Sequence, residues 1–191
     1  MKKLYMIRHG ITEGNEKRWY YGAADLPLSE AGKQMCAAEG KRWQLPQDTQ
    51  FATTGMLRTE QTLEIMFGSH DHRKFPQMRE MEMGEFECKT YYDLVDNPAY
   101  QAWLNDSTGD FPIPGGESNN AFRGRVMEGF KALMTDPTDT AMLVCHGGTI
   151  CTVMLNLFPD AKSGFFDWHC EPCHGYSVDF ENGLPVRFEA C

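Results

Sequence analysis

Two apolar runs, each leading into a histidine and a glycine, dominate the hydrophobic pattern of this 191-residue chain. Residues 3–9 read KLYMIRH, followed by glycine, and residues 140–148 read TAMLVCHGG. Neither run alternates cleanly between apolar and polar positions, which is typical of strands covered on both faces in an α/β sheet. If these strands are neighbours, His9 and His146 meet at the carboxyl edge of the sheet, where open α/β folds bind ligands.

Helical spacing of apolar residues predicts helices between and after these two strands. Ser29 is a predicted N-cap for the helix that follows it. Pro98 is expected to break one helical run into two pieces, because proline has no backbone N–H to donate. The other helical segments are predicted at 56–67, 90–104, 118–134 and 149–158.

The chain closes with a predicted hairpin over 175–190, with Asn182 and Gly183 at its turn. The loop 106–118 is rich in glycine, proline and small polar residues and is expected to be the most flexible segment. The order of strands and helices favours one α/β domain over residues 1–191. We expect a three-layer α/β/α sandwich around one mixed, mostly parallel sheet.

Charge and composition narrow the function classes. The formal net charge is −9, which argues against binding to nucleic acid or to an anionic membrane surface. The sequence contains no apolar stretch of the roughly 18 residues that a membrane helix needs, and the first apolar run is too short for a signal peptide. We therefore expect a cytoplasmic protein, in which the seven scattered cysteines stay reduced.

The first candidate site follows the first strand. Arg8 beside His9 should disfavour the imidazolium and keep the ring neutral, and a neutral imidazole nitrogen is a nucleophile. Gly10 would let backbone approach a ligand closely, while Thr12 and Asn15 add a hydroxyl and an amide. This set fits the binding of a phosphoryl group and attack on it.

Two further segments carry candidate chemistry. Arg58 lies near the start of a predicted helix, where free backbone N–H groups also favour an anion. Residues 78–90 crowd four glutamates into a short segment, and any one of them could act as a general acid. Spacing alone does not choose among them, and most are expected to be solvated: Glu80, Glu82, Glu85 and Glu87.

Six motifs, in order along nearly the whole chain, resemble those of the histidine phosphatase superfamily, in its phosphoglycerate mutase-like branch 1. They are RHGITEGN (8–15), LPLSEAGKQ (26–34), LRTEQT (57–62), REMEMGEFE (79–87), PGGES (114–118) and VCHGGTI (144–150). The resemblance implies a phosphoglycerate mutase-like fold and phosphoryl transfer without a metal or other cofactor. The implied partner is a small phosphomonoester.

The resemblance also implies a role for individual residues. His9 would be the nucleophile that becomes phosphohistidine, and Glu80 would be the proton donor. Arg8, Arg58 and His146 would bind the phosphoryl oxygens, supported by Asn15. The remaining predicted substrate-binding residues are Gly10, Thr12 and Gly147.

The family contains both mutases and phosphatases, and the charge pattern favours a phosphatase. Residues 80–118 contain nine acidic side chains and one basic side chain, Lys89, which opposes a second strongly anionic site there. Residues 100–126 and 165–180 resemble those of α-ribazole phosphatases, with a broad sugar or nucleotide phosphatase as the competing interpretation. Aromatic residues of this kind more often belong to the core, but four of them could form a wall for a ring-bearing substrate: Tyr20, Tyr21, Trp103 and Trp168.

Rival interpretations from other classes are a metal or redox site, a phosphate-binding protein without catalytic activity, and a nucleotide-binding P-loop. The segment HCEPCH (169–174) contains Cys170 and Cys173 flanked by His169 and His174, but no second Cys-x-x-Cys completes a zinc site. GSHDHR (68–73) is expected to be a solvated loop. A phosphate-binding pseudoenzyme is the non-enzymatic alternative. Such proteins tend to lose the nucleophile or the acid, whereas this sequence retains Arg8, His9, Arg58, Glu80 and His146. The sequence contains no nucleotide-binding P-loop motif.

Overall fold

A six-stranded sheet forms the centre of the computed structural model, which describes all 191 residues. The strands are β1 (Lys3–Arg8), β2 (Gln50–Thr53), β3 (His72–Lys74), β4 (Thr140–Cys145), β5 (Gly175–Glu181) and β6 (Leu184–Ala190). Their spatial order is β3-β2-β4-β1-β5-β6, with the first four strands parallel to each other. Since β5 and β6 add antiparallel pairs at one edge, the prediction of a mixed, mostly parallel sheet is confirmed.

Seven α-helices accompany the sheet. They are α1 (Glu13–Glu16), α2 (Glu30–Glu39), α3 (Leu57–Phe67), α4 (Tyr91–Leu94), α5 (Pro98–Leu104), α6 (Asn119–Met134) and α7 (Gly147–Leu157). Ser29 caps α2 by accepting from the Gly32 N–H at 3.1 Å, as predicted. Pro98 separates α4 from α5 and itself begins α5, because the first turn of a helix needs no donor there. None of these helices combines the length and the apolar character needed to span a bilayer.

The helices cover both faces of the sheet, which explains the continuous apolar run of β4. Leu143 and Cys145 pack into the core beneath α6 and α7, where Phe122 lies. Met142 and Val144 point to the opposite face and pack against side chains of α2 and α3. All six residues of β4 are buried, so the strand has no polar face.

The structure also contains two strands that the sequence pattern did not predict. β2 and β3 are four and three residues long, too short to show a period. The prediction that 68–73 is entirely loop is therefore wrong at its end, because β3 begins at His72 and pairs with β2. The hairpin is confirmed, and its turn residues Asn182 and Gly183 have φ of 52° and 80°.

The loop 106–118 contains a local network of hydrogen bonds. The Asp106 carboxylate accepts from the N–H groups of Thr108 and Phe111, and Asn120 donates to the Thr108 carbonyl. Ile113 is buried at 1% exposure. The expected flexibility of this loop stays a prediction.

Candidate active site

The ends of β1 and β4 bring the two predicted histidines together. Arg8 pairs with Cys145 in the parallel register, and the His9 N–H donates to the Cys145 carbonyl at 3.0 Å. The chain then places His9 and His146 side by side, with ring centroids 5.3 Å apart. The predicted meeting of the two histidines at the carboxyl edge of the sheet is confirmed.

His9 is held as a neutral imidazole with one nitrogen free. Its Nδ1 lies 2.7 Å from the Gly10 carbonyl oxygen, which can only accept, so Nδ1 carries the proton and Nε2 keeps its lone pair. Burial lowers the pKa of His9 well below the ordinary 6.5, and the charges of Arg58 and Arg8 lower it further. Burial is the largest cause, whereas the sequence pattern indicated only the neighbouring Arg8.

Arg58 is fully buried beside His9, and its guanidinium is fixed on three sides. Nη1 donates to the Ala24 carbonyl at 2.9 Å, and Nη2 donates to the Gly22 carbonyl at 2.8 Å. The guanidinium also lies over the Tyr21 ring, 5.2 Å from its centroid. One planar cation is thus held in a defined orientation in the wall of a pocket.

His146 lies behind Arg58 rather than on the pocket wall. Its Nδ1 accepts from the Arg58 Nε–H at 3.3 Å, which requires that Nε2 carry the proton, and Nε2 lies 2.8 Å from the Thr54 hydroxyl. Burial, followed by the charge of Arg58, lowers the pKa of His146 well below 6.5. Both ring nitrogens are engaged, so the structure gives His146 a place in orienting Arg58. Its predicted contact with a phosphoryl oxygen stays a prediction.

Arg8 has one buried donor that no protein atom satisfies. Nη1 donates to the Cys170 carbonyl at 3.0 Å and to Nε2 of His169 at 3.1 Å. The Nε–H is buried and has no partner, and it lies beside Gly147, where a Cβ would come within 3.6 Å of it. A buried unpaired donor is costly, and an anionic oxygen in the pocket would satisfy it.

Glu80 is half-buried in the same pocket, opposite the histidine pair. Its Oε2 accepts from the Gly148 N–H at 2.9 Å, and its Oε1 accepts from the Met81 N–H at 2.9 Å. A Cβ on Gly148 would lie 2.4 Å from Oε1, so only glycine leaves room for this carboxylate. The second glycine after His146 therefore permits the close approach of the candidate acid.

The backbone that carries Glu80 is clamped by Arg125 of α6. Arg125 donates to the carbonyl oxygens of Gln77, Arg79 and Glu80 at 2.8, 3.1 and 3.2 Å. It also forms a two-pronged pair with Glu117, with both bonds at 2.7 Å. The sequence pattern offered no signal for this clamp, because Arg125 occupies an ordinary polar position of an amphipathic helix.

The expectation that most glutamates of 78–90 are solvated holds for Glu82 and Glu85, which are exposed. It is wrong for Glu87. The carboxylate of Glu87 accepts from the backbone N–H groups of Gly22, Ala23, Ala24 and Met83, all at 2.9–3.1 Å. Glu87 is a half-buried anchor of the loop 22–24, a role that spacing alone did not reveal.

The predicted substrate-binding residues divide between the pocket wall and its support. Asn15 and Gly147 line the pocket, and the Asn15 Oδ1 accepts from Thr12 and Tyr21, which leaves its Nδ2 to donate. Thr12 is fully buried, caps α1 and is absent from the wall. Gly10 packs closely on α2, where a Cβ would lie 2.5 Å from the Cys36 Sγ, and its predicted contact with a ligand stays a prediction.

The pocket has a volume of about 300 Å³ and a mixed lining. Of the four aromatic residues considered for a wall, Tyr20, Tyr21 and Trp103 line the pocket, whereas Trp168 is fully buried in the core, where it packs on Tyr176. Lining residues that the sequence pattern did not indicate are Trp19, Met81, Met83, Asn119, Phe122, Arg123, Phe165, Phe166 and His169. Most of them come from the start of α6 and from the turn at 165–168, far apart in sequence.

The four candidate ligands in HCEPCH point to different partners. His169 bonds Arg8, and the Nδ1 of His174 bonds the Pro172 carbonyl at 3.0 Å. The Sγ of Cys173 lies 3.4 Å from the Sγ of Cys36. No group of three or more His, Cys, Asp or Glu side chains in the chain is arranged to hold a metal ion. The geometry gives the metal interpretation of this segment no support.

Comparisons with known proteins agree with this architecture. Probable phosphoglycerate mutase GpmB of Salmonella paratyphi C (strain RKS4594) is 29% identical over 164 residues, which are 82% of this chain and 76% of that protein. The phosphoglycerate mutase structure from Thermus thermophilus is 27% identical with a TM-score of 0.73, and covers 97% of each chain. The α-ribazole phosphatase structure from Shigella flexneri has a TM-score of 0.84 over 96% of this chain and 93% of that one.

At 22% identity, the likeness to the Shigella flexneri structure concerns the fold alone. The sequence model of the histidine phosphatase superfamily (branch 1) matches residues 4–187, nearly the whole chain. The protein therefore belongs to the histidine phosphatase superfamily, branch 1.

Proposed function

We propose that this protein is a phosphomonoester hydrolase that works through a phosphohistidine at Nε2 of His9. The observation that carries the proposal is a buried, neutral imidazole whose free nitrogen lies in a pocket with two arginines. Phosphoryl transfer needs in-line positioning and stabilisation of charge on the equatorial oxygens more than it needs covalent chemistry from the protein. Arg8 and Arg58 supply two cations for that purpose.

The reaction has two steps that balance in protons and electrons. In the first, Nε2 attacks phosphorus, the ester P–O bond breaks, and its electron pair leaves on the alcohol oxygen, which takes a proton from Glu80. In the second, Glu80 accepts a proton from water as the water oxygen attacks phosphorus and the P–N bond breaks. The products are the alcohol and inorganic phosphate, and His9 returns to its neutral form.

The walls of the pocket favour a leaving group that carries a ring. Tyr20 and Trp103 stand on one side, with Phe165 and Phe166 from the turn at 165–168 also in the lining. Flat aromatic side chains stabilise planar rings by stacking. Among the phosphomonoesters with such a leaving group, we propose α-ribazole 5′-phosphate as the substrate.

A phosphomonoester panel tests both levels of the proposal. It contains a generic aryl phosphate, α-ribazole 5′-phosphate, sugar phosphates and 3-phosphoglycerate, each measured with and without EDTA. We expect hydrolysis of the aryl phosphate to persist in EDTA. Among the metabolites of the panel, kcat/KM should be highest for α-ribazole 5′-phosphate. Activity that requires an added metal would contradict the mechanism, and a preference for sugar phosphates would contradict the substrate.

One observation favours a second candidate, a phosphoglycerate mutase-type phosphoryl transferase. Arg123 lines the pocket and contacts the Phe165 ring at 5.1 Å, but makes no hydrogen bond or ion pair with the protein. It lies just beyond the acidic segment 80–118, so the charge count of that segment did not include it. Appearance of 2-phosphoglycerate from 3-phosphoglycerate, in place of free phosphate, would establish this candidate.

A further inference from the structure

Glu87 is the most heavily bonded carboxylate beside the pocket, and it is not part of the pocket lining. Its two oxygens accept from four backbone N–H groups, three of which are consecutive: Gly22, Ala23 and Ala24. Successive N–H groups that converge in this way form an anion-binding concavity. Because it does not reach the pocket, Glu87 is not placed to donate a proton to a substrate there.

The same loop holds Arg58 from its other side. While the N–H groups of Gly22 and Ala24 face Glu87, their carbonyl oxygens accept from Nη2 and Nη1 of Arg58 at 2.8 and 2.9 Å. The Glu87 carboxylate therefore orders the loop 22–24, and the carbonyl groups of that loop orient the Arg58 guanidinium. The negative charge of Glu87 also favours the charged form of the buried Arg58.

Two further contacts leave this loop little freedom. A Cβ on Gly22 would lie 1.6 Å from the Met81 carbonyl oxygen, so the loop packs directly on the backbone next to Glu80. The Asp25 carboxylate accepts from the Leu57 N–H at 2.7 Å, which ties the loop to the first turn of α3, next to Arg58. Glu87 is thus the anchor of a structure that ends on one phosphate-binding cation.

We propose that Glu87 is a positioning residue that sets the guanidinium of Arg58 for phosphoryl binding through the loop 22–24. The inference rests on the proposed function, since it assumes that Arg58 binds the phosphoryl group. Loss of the anchor would let the loop carbonyls move, and the Arg58 donors would then follow them away from the phosphoryl oxygens. A displacement of about 1 Å at such a site can cost on the order of 100-fold.

The test measures the affinity of the full-length protein for inorganic phosphate by calorimetry, with no turnover required. For Glu87→Gln we expect phosphate affinity to fall about 10- to 100-fold, the range typical when the partners of ligating groups are removed. Glu85→Gln is the matched control, because Glu85 lies two residues away and is exposed. It should change the affinity less than about twofold.

A double-mutant cycle separates positioning of Arg58 from a general structural role. If Glu87 acts through Arg58, Glu87→Gln should leave phosphate affinity nearly unchanged in an Arg58→Met background. Additive losses, or unchanged affinity in Glu87→Gln alone, would overturn the inference. If Glu87→Gln does not fold, Glu87→Asp is the second variant. It keeps the charge, but its side chain is one methylene too short to reach all four N–H groups, so we expect a smaller loss of phosphate affinity.

The two proposals can fail separately. A wild-type protein that binds no phosphate and hydrolyses no phosphomonoester would overturn the proposed function. A wild type that does both, with a Glu87→Gln variant that binds phosphate equally well, would overturn only the role of Glu87. A lower melting temperature with unchanged phosphate affinity would show a structural role and would also reject the inference.

Discussion

The two ends of the pocket are built in opposite ways. The floor, consisting of Arg8, His9, Arg58 and Glu80, is tied to backbone groups by short hydrogen bonds. The mouth, consisting of Arg123, Phe165 and Phe166, is partly or largely exposed, and Arg123 contacts the protein there by stacking alone. Preorganised groups stabilise developing charge best, whereas loosely held side chains adapt to ligands of different shape.

This contrast separates the type of reaction from the choice of substrate. The floor contains what phosphoryl transfer requires and depends little on the alcohol that leaves. The mouth contains aromatic rings and one free cation, whose contacts would differ between a ring-bearing and an anionic leaving group. Variants of the floor should therefore impair the reaction of every substrate, with Glu80 sensitive only to how much the leaving oxygen needs a proton. Variants of the mouth should instead discriminate by the shape and charge of the leaving group.

The largest effect is expected from removal of the nucleophile. His9→Ala should lower kcat/KM at least ~10³-fold for every phosphomonoester, because no other group can form the covalent intermediate. The measurement is hydrolysis of an aryl phosphate and of a sugar phosphate by wild type and variant. His70→Ala, a change at an exposed histidine outside the pocket, is the control. Activity of His9→Ala near the wild-type level would show that His9 is not the nucleophile.

Glu80→Gln should have the next largest effect and should depend on the leaving group. For alkyl phosphates, whose leaving oxygen needs a proton, we expect a loss in kcat/KM of about 10²-fold or more. For p-nitrophenyl phosphate, whose leaving oxygen is stable as an anion, the loss should be well under that. Glu82→Gln is the matched control, since Glu82 is exposed two residues away. An equal loss for all leaving groups would argue against Glu80 as the acid.

The two buried histidines should also make the free energy of unfolding depend on pH. The pKa values of His9 and His146 are lowered mainly by burial, so the unfolded chain takes up protons below about pH 6.5 that the folded chain does not. The free energy of unfolding should then fall as the pH decreases from about 6.5 to 5, by up to about 1.4 kcal/mol per pH unit for each histidine.

Urea unfolding of wild type and His146→Gln across that pH range measures this effect. The variant should lose about half of the pH dependence, because one of the two buried histidines is gone. His70→Gln, at the exposed surface, should keep the wild-type slope. A wild-type stability that does not change between these pH values would show that folding does not lower the pKa of His9 and His146.

The smallest effect is expected at the mouth. Phe166 is 81% exposed, and Phe166→Ala should raise KM about three- to tenfold for a ring-bearing phosphomonoester, the loss expected for one aromatic contact. KM for glycerol phosphate should not change. Tyr92→Ala, at an equally exposed aromatic residue outside the pocket, is the control. Equal changes for both substrates would remove the distinction between mouth and floor.

Sequence reasoning recovered the parts of the molecule that have a local signature. β1 and β4 are continuous apolar runs, and the turn at Asn182 and Gly183 needs residues that tolerate positive φ. β2 and β3 escaped because three or four residues show no period. The histidine at the end of each run suggested that β1 and β4 could be neighbours, and the structure pairs them in parallel.

The support of the site could not be predicted in the same way. Glu87 and Arg125 act on backbone N–H and carbonyl groups, which every residue has. Glu87 is the last residue of the motif at 79–87, but the motif does not reveal which N–H groups its carboxylate binds. Arg123 reaches the pocket only because the start of α6 lies there. The ligand contact predicted for Gly10 stays a prediction, because glycine permits close approach on either side and a Cβ here would meet Cys36.

The central claim, a covalent phosphoryl group on Nε2 of His9, is tested most directly by rapid acid-free quenching of a single turnover. Wild-type protein is mixed with a ³²P-labelled phosphomonoester, denatured in alkali within milliseconds, and digested for peptide mapping. The account predicts label on the peptide that contains His9, lost on exposure to acid and absent from His9→Ala. Label on another residue, or free phosphate released with no labelled protein at any time, would contradict it.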